Sequence, residues 1–306
     1  MRFVADFHLH SRFSRATSKD MNLENLAAWA KLKGLSLVGT GDFTHPEWFF
    51  LIKQKLEPIG NGFLRLKKPA VSVAEPIIKD VVCSRDEVAF LLSAEVSLIY
   101  SKKGRVRKIH LLVLMPDLEK AEAFNRRLGT LGNLHSDGRP ILGLDARLFL
   151  QIALDICPRC LVIPAHIWTP WFSLFGANSG FDSIEECFED LTPQIIALET
   201  GLSSDPPMNW RLSALDNFVL VSNSDAHSPS RLGREANVFE TDFSYEGLVR
   251  ALKNRDPKKF LFTIEFFPEE GKYHFDGHRQ CGIVLAPQES LKHQNLCPKC
   301  GKKLTI

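Results

Sequence analysis

Asp6-Phe7-His8-Leu9-His10 closes an apolar strand near the start of the chain and opens a series of side chains suited to holding metal. Asp42 and His45 follow in Thr40-Gly41-Asp42-Phe43-Thr44-His45, then Glu95, His110, His166 in Pro164-Ala165-His166, and Asp225 with His227 in Ser224-Asp225-Ala226-His227. Imidazole and carboxylate bind zinc, manganese, iron and magnesium. Nine such groups exceed the needs of one ion, so the series predicts a cluster of two or three divalent metals. In an extended strand residues i and i+2 face one side, so His8 and His10 can reach the same ion, and Asp225 with His227 repeats that spacing. Clustered ions suit phosphate-ester hydrolysis. They make hydroxide available at neutral pH and neutralise the phosphate and its leaving oxygen.

Such ligands need a scaffold that brings distant segments together. Leu23, Leu26, Ala27 and Ala30 have helical spacing, with Asn22 as N-cap and Gly34 as stop. Strands are expected at 2–7, 35–40, 90–98, 109–114, 160–164, 195–198 and 218–222, and helices at 118–131, 145–156, 183–188 and 245–253. Apolar strands alternating with helices predict an α/β fold with a mostly parallel sheet. His8, His10, Asp42, His166 and Asp225 fall just past strand ends, where an α/β barrel gathers its active site. Glu95 and His110 fall inside their strands.

The 306 residues suffice for a large domain and a small one, and no apolar run is long enough for a membrane span. With no signal-peptide pattern at the N-terminus, a cytoplasmic protein is expected. The net charge of +2 neither demands nor excludes a polyanionic partner. Lys102, Lys103, Arg105, Arg107 and Lys108 form a basic run that reads equally well as a solvated hairpin turn around Gly104. Seven cysteines without a secretion signal argue against a disulfide framework. Cys83 and Cys187 read as small buried residues, and Cys157 and Cys160 as structural.

The α/β rhythm stops near Pro257, dividing the chain into residues 1–255 and a shorter module at 256–306. In that module His278-Arg279-Gln280-Cys281 and Cys297-Pro298-Lys299-Cys300, fifteen residues apart, have the spacing of a structural zinc site with four N/S ligands. His274 is an alternative to His278.

In order and type, these motifs resemble the PHP (polymerase and histidinol phosphatase) family over residues 1–255. The resemblance implies a distorted (β/α)7 barrel with a trinuclear centre. His8, His10, Asp42, Glu95, His110, His166, Asp225 and His227 would be ligands, and Glu95 a bridging carboxylate. Many members read Asp-His where this chain has Asp42-Phe43-Thr44-His45, which sets His45 apart. Asp6 is expected behind the ligands, orienting a histidine. Ser14-Arg15-Ala16-Thr17-Ser18-Lys19, Gly39-Thr40-Gly41-Asp42-Phe43-Thr44-His45-Pro46 and the zinc pairs resemble, more narrowly, the endonuclease Q branch. That resemblance implies incision of DNA on the 5′ side of deaminated bases (uracil, hypoxanthine, xanthine) or abasic sites, with a repair or replication protein as a further partner.

In that chemistry Asp225 would ligate and help deprotonate the nucleophile, and Arg15 would clamp phosphate through its guanidinium. Reading a damaged base requires extruding it. Trp171, Phe172 and Phe175, with Asn178, offer a surface on which a base could stack. The same cluster also serves phosphomonoesterases acting on small phosphorylated metabolites or nucleotides, which is the alternative reading.

Overall fold

The computed structural model describes residues 1–68 and 87–306; Cys83 lies outside them. A large mixed sheet contains β1 (Arg2–Asp6), β2 (Leu37–Gly39), β3 (Leu56–Pro58), β4 (Leu64–Leu66), β5 (Ala89–Lys102), β6 (Arg105–Met115), β7 (Ile141–Leu142), β8 (Leu161–Pro164), β11 (Ala236–Glu240) and β12 (Phe260–Ile264). A parallel pair, β9 (Ala197–Glu199) with β10 (Val219–Val221), and an antiparallel pair, β13 (Asp276–His278) with β14 (Ile283–Leu285), stand apart from it.

The expected parallel order holds where β1 pairs with β2 and β2 with β5. It fails in most of the sheet: β1–β11, β11–β12, β3–β4, β4–β5 and β6–β8 are antiparallel, and so is the centre. β5 and β6 form a long antiparallel hairpin in register from Leu92↔Met115 to Lys102↔Arg105. The cause is local: Lys103 (φ 51°) and Gly104 (φ 72°) both adopt the left-handed conformation of a two-residue hairpin turn, which can join only antiparallel strands. The basic run is thus a hairpin end. Within it Lys102 binds Asp145 (3.1 Å) and Glu189 (2.7 Å).

Helices cover the sheet at Leu23–Leu32, Pro46–Lys55, Leu118–Gly129, Ala146–Ile156 and Tyr245–Asn254. The first is capped as its sequence predicts: the Asn22 side chain accepts from the Asn25 N–H, and Gly34 (φ 74°) follows its end. Phe3, Ala5 and Phe7 alternate along β1 and its extension into a core shared with Leu37, Leu91 and Phe239. Burying each phenylalanine contributes about 1.5–3 kcal/mol. Cys157, Cys160 and Cys187 are free and buried, and burial pushes the Cys160 thiol up to about 12. They are inert packing groups. No helix among the described residues is long and apolar enough to cross a membrane.

β12 hydrogen-bonds to β11 as an edge strand, so the chain past residue 256 begins inside the large sheet before reaching β13 and β14. Flanking that edge is an unusual carboxyl. Glu235 is fully buried and neither of its oxygens has a hydrogen-bond partner among the described residues. Burial first, then the charges of Glu265 and Glu199, push it up to about 9, so it is a neutral acid at pH 7. Because its folded pKa is raised, its contribution to stability is complete below the ordinary glutamate range and is lost as pH rises toward 9. Glu235→Gln should therefore leave the melting temperature unchanged at or below about pH 4 and raise it above pH 9, by roughly 2–4 °C per kcal/mol recovered. A melting curve for the variant that tracks the wild type at both pH values would refute this assignment.

Candidate metal centre and its surroundings

Glu95 projects from β5 and is fully buried. Ser97 faces His110 across the β5–β6 ladder, which puts Glu95 and His110 on one face, two residues apart. Glu95 Oε1 lies 2.7 Å from His110 Nδ1, 3.0 Å from His166 Nε2 and 3.6 Å from His8 Nε2. Glu95 Oε2 lies 3.3 Å from His10 Nε2 and 2.9 Å from Arg139 Nη1. Burial alone would raise its pKa, but the surrounding imidazoles and the Arg139 guanidinium outweigh that and hold it well below the carboxylate range. Asp225 Oδ1 continues the arrangement, 3.2 Å from His10 Nε2, with His227 Nδ1 at 3.6 Å.

Three overlapping trios result, each with its donor atoms within 4.8 Å of one another: His8–His10–Glu95, His10–Asp225–His227 and Glu95–His110–His166. His8 Nε2, His10 Nε2 and Asp225 Oδ1 are buried there without a hydrogen bond. Orphaned donor atoms of exactly the metal-binding types are what a divalent ion would satisfy, so the residues fit one. Burial also brings His110 down to about 4 against the pull of Glu95, so its ring is neutral at pH 7, the form that ligates metal.

Other side chains hold these rings in place. Glu199, at the end of β9, takes His8 Nδ1 on both oxygens at 3.0 Å and accepts the His166 backbone N–H at 2.8 Å. Asn223 Nδ2 donates to Glu199 Oε1 (2.8 Å), and Asn223 Oδ1 accepts from the Phe7 N–H (2.8 Å). Sequence reasoning missed Glu199 and Arg139. The one signal for Glu199 was a glutamate ending an apolar strand; Arg139, in a turn between Gly138 and Pro140, gave none. Strain gathers here too. Asp42 (φ 46°), His166 (φ 31°) and Asp225 (φ 46°) are non-glycine residues in the left-handed region, each shortly past a strand end.

The remaining expected residues divide. Asp42 stands behind His10 and outside the trios: its Oδ1 is 3.1 Å from His10 Nδ1, and its Oδ2 accepts from Ser11 (2.6 Å) and Ser14 (2.9 Å). His45 also lies outside them. It occupies the N-cap position of the helix that Pro46 begins without a side-chain capping bond, and its ring stacks on Phe13 at 4.5 Å. Asp6 orients backbone rather than a histidine, accepting from the N–H groups of Ser224 (3.1 Å) and Gly233 (3.0 Å). Arg15 is exposed, 3.3 Å from Asp137. Trp171 and Asn178 are exposed, the Phe172 ring lies 4.8 Å from that of His110, and Phe175 turns inward onto Trp168 at 4.9 Å.

A second group forms in the C-terminal segment. His278, Cys281, Cys297 and Cys300 bring four donors within 4.8 Å. Gly301 (φ 70°) turns the chain so that its N–H reaches Cys297 O at 2.8 Å. His274 lies elsewhere, its Nδ1 3.3 Å from Ser203 O.

Gly138 packs directly on Asp42 and Ser14, and any Cβ there would collide with both side chains. Gly138→Ala should displace Asp42 from His10 and lower divalent-metal affinity about 10–100-fold by calorimetric titration. Wild-type affinity in this variant would show that Asp42 does not orient His10.

No family model matches the chain. It is 29% identical over 320 residues to the uncharacterized protein YqxK of Bacillus subtilis, covering 98% of this chain and 73% of that one. Its structure matches the lesion-specific endonuclease Q of Pyrococcus furiosus with a TM-score of 0.80 at 33% identity, covering 99% of this chain and 69% of the other. A structure of endonuclease Q with a 27-mer duplex carrying an abasic lesion at the active site matches with a TM-score of 0.82 at 33% identity, covering 100% and 70%. With that identity maintained across the whole chain and over two-thirds of its relative, the chain belongs to the endonuclease Q family.

Proposed function

We propose that this chain is a metal-dependent DNA endonuclease that hydrolyses the phosphodiester bond 5′ to deaminated bases or abasic sites. The observation that carries the reading is the buried chain of trios around Glu95, together with the likeness to a lesion-specific endonuclease. The convergence of ligand-bearing segments past β1, β8 and β10 also supports a PHP-type barrel as the frame. Residues 1–255 form the cutting unit in this reading, and 256–306 the zinc module, tethered by β12.

His8, His10, Glu95, His110, His166, Asp225 and His227 would hold two or three divalent ions (zinc, manganese, magnesium or iron), with Asp42 fixing His10. Bound there, such ions supply a nucleophile at neutral pH and neutralise phosphate charge. The protein's own groups do the rest. Asp225 would ligate an ion and also help to deprotonate the attacking water. Arg139 balances the buried Glu95 charge from one side, and the exposed Arg15, which pairs with Asp137, would clamp phosphate. Trp171 and Phe172 stand beside the centre as stacking surfaces for an extruded base. His278, Cys281, Cys297 and Cys300 would hold one structural zinc.

Duplexes carrying a single uracil, hypoxanthine or abasic site should be nicked on the 5′ side with Mg²⁺ or Mn²⁺ present. Asp225→Ala should lower that rate by about 10²–10⁴-fold while DNA binding persists. Absence of nicking on all three duplexes would rule the reading out, and an active Asp225→Ala enzyme would remove Asp225 from the reaction. Cys297→Ser should release about one zinc equivalent, measured by atomic emission; unchanged metal content would refute the C-terminal site.

A further inference from the structure

One buried carboxylate holds the backbone of two arginines beside the metal centre. Asp137 accepts the N–H of Arg139 (3.1 Å) and the N–H of Arg15 (3.3 Å) on its Oδ1. Its Oδ2 pairs with the Arg15 guanidinium at 3.3 Å. The turn that follows is pinned from both ends. The Gly138 N–H donates to Phe13 O (3.0 Å), and Pro140 O accepts from the N–H of Ser97 (2.9 Å), which lies two residues along β5 from Glu95. Gly138 itself packs on Asp42 and Ser14 with no room for a Cβ. Arg15 and Arg139 are therefore fixed relative to each other and to the ligand-bearing segments.

Arg139 is placed differently from a residue that only neutralises charge. Its Nη1 donates to Glu95 Oε2 at 2.9 Å, the oxygen that also faces His10. Its Nε and Nη2 make no hydrogen bond among the described residues. The side chain is 27% exposed although that of Glu95 is fully buried, so the other edge of the guanidinium is open to what enters the centre. Burial works against its charge, and Glu95, then Asp225 and Asp137, more than offset that. With divalent ions at the trios, Glu95 would be compensated without this arginine. A guanidinium beside such ions is repelled by them, and an anion between them removes the repulsion. A phosphodiester is such an anion, and its two non-bridging oxygens match the edge of a guanidinium.

We propose that Arg139 is a catalytic residue: its open edge grips a non-bridging oxygen of the phosphate being cleaved and tightens on it as charge builds there. Asp137 is the positioning residue, setting Arg139 for that phosphate and Arg15 for the strand outside it. The proposal rests on the endonuclease reading above. In the cleavage, the water oxygen bonds to phosphorus as the bond to the leaving ester oxygen breaks. One water proton is lost with the help of Asp225 and solvent supplies one to the leaving oxygen, while Arg139 stays protonated throughout.

The test is nicking of a duplex with a single abasic site, with kcat and KM measured separately. Arg139→Ala and Arg139→Gln should lower kcat about 10²–10³-fold with little change in KM, the pattern of an interaction made in the transition state. Added guanidinium ion should restore part of the rate of Arg139→Ala, while bound metal, read by atomic emission, stays at the wild-type level. Asp137→Asn, which keeps the Oδ1 acceptor, should retain most of the kcat. Asp137→Ala should lose it, and adding Asp137→Ala to Arg139→Ala should lower kcat no further. Wild-type kcat in both Arg139 variants would overturn the proposal. So would a lost rate that comes with lost metal and no rescue, which marks a purely structural role. Wild-type kcat in Asp137→Ala would remove its positioning role. A wild-type protein that nicks no lesion duplex, yet hydrolyses bis(4-nitrophenyl) phosphate, would instead overturn the endonuclease reading, and Arg139→Ala on that diester then decides the arginine.

Discussion

Glu95 brings a full negative charge to a place with no exposed surface, and the rest of the site exists to make that tenable. An isolated carboxylate in a protein interior would take up a proton rather than stay charged. Here four imidazoles and one guanidinium surround it, delivered by segments that follow β1 and β8, by β6, and by the turn before β7. No two of those segments adjoin in sequence except β5 and β6. Convergence of strand ends is therefore an electrostatic requirement as much as a topological outcome.

The backbone meets that requirement by local strain. Asp42, His166 and Asp225 each turn sharply in the left-handed region, which re-aims a side chain that a regular strand would have sent elsewhere. A clasp holds the turns together: Leu9 bridges to Ala226, and the His10 N–H donates to Ala226 O at 3.0 Å. The Ser18 N–H donates to His227 O at 2.8 Å and ties the Arg15 loop to the same region. Behind them, Glu199 and Asn223 fix the His8 ring through hydrogen bonds in which every partner is named by the fold. The result is a set of donors held in place by hydrogen bonds from behind.

The two groups of metal-type residues differ in how they are built. The Glu95 centre is buried and draws on segments spread over more than 200 residues, from His8 to His227. The Cys/His group is assembled within one short stretch, by a strand end and a glycine turn, and sits near the surface. The segment that leads to it is docked on Ser203, two residues beyond Gly201, which packs on His166.

Much of this was legible in the residues alone. HxH and DxH spacings put paired donors on one side of an extended segment whatever the surrounding fold, and two Cys/His pairs at short spacing close on one ion through local turns. Asn22, Gly34 and the Lys103-Gly104 turn likewise act through their own backbone chemistry. What the sequence could not determine depends on neighbours distant along the chain. His45 and Asp42 are ligand-type residues, yet Pro46 starts a helix at one and Ser11 with Ser14 takes up the other, so both stand outside the trios. Glu199 and Arg139 have no motif, because their roles come from where β9 and the turn at 138–140 happen to end in space. Residue type and short spacing thus determined which chemistry the chain could hold; only tertiary structure decided which side chains face the buried charge, since that depends on contacts between strand ends that sequence distance does not encode.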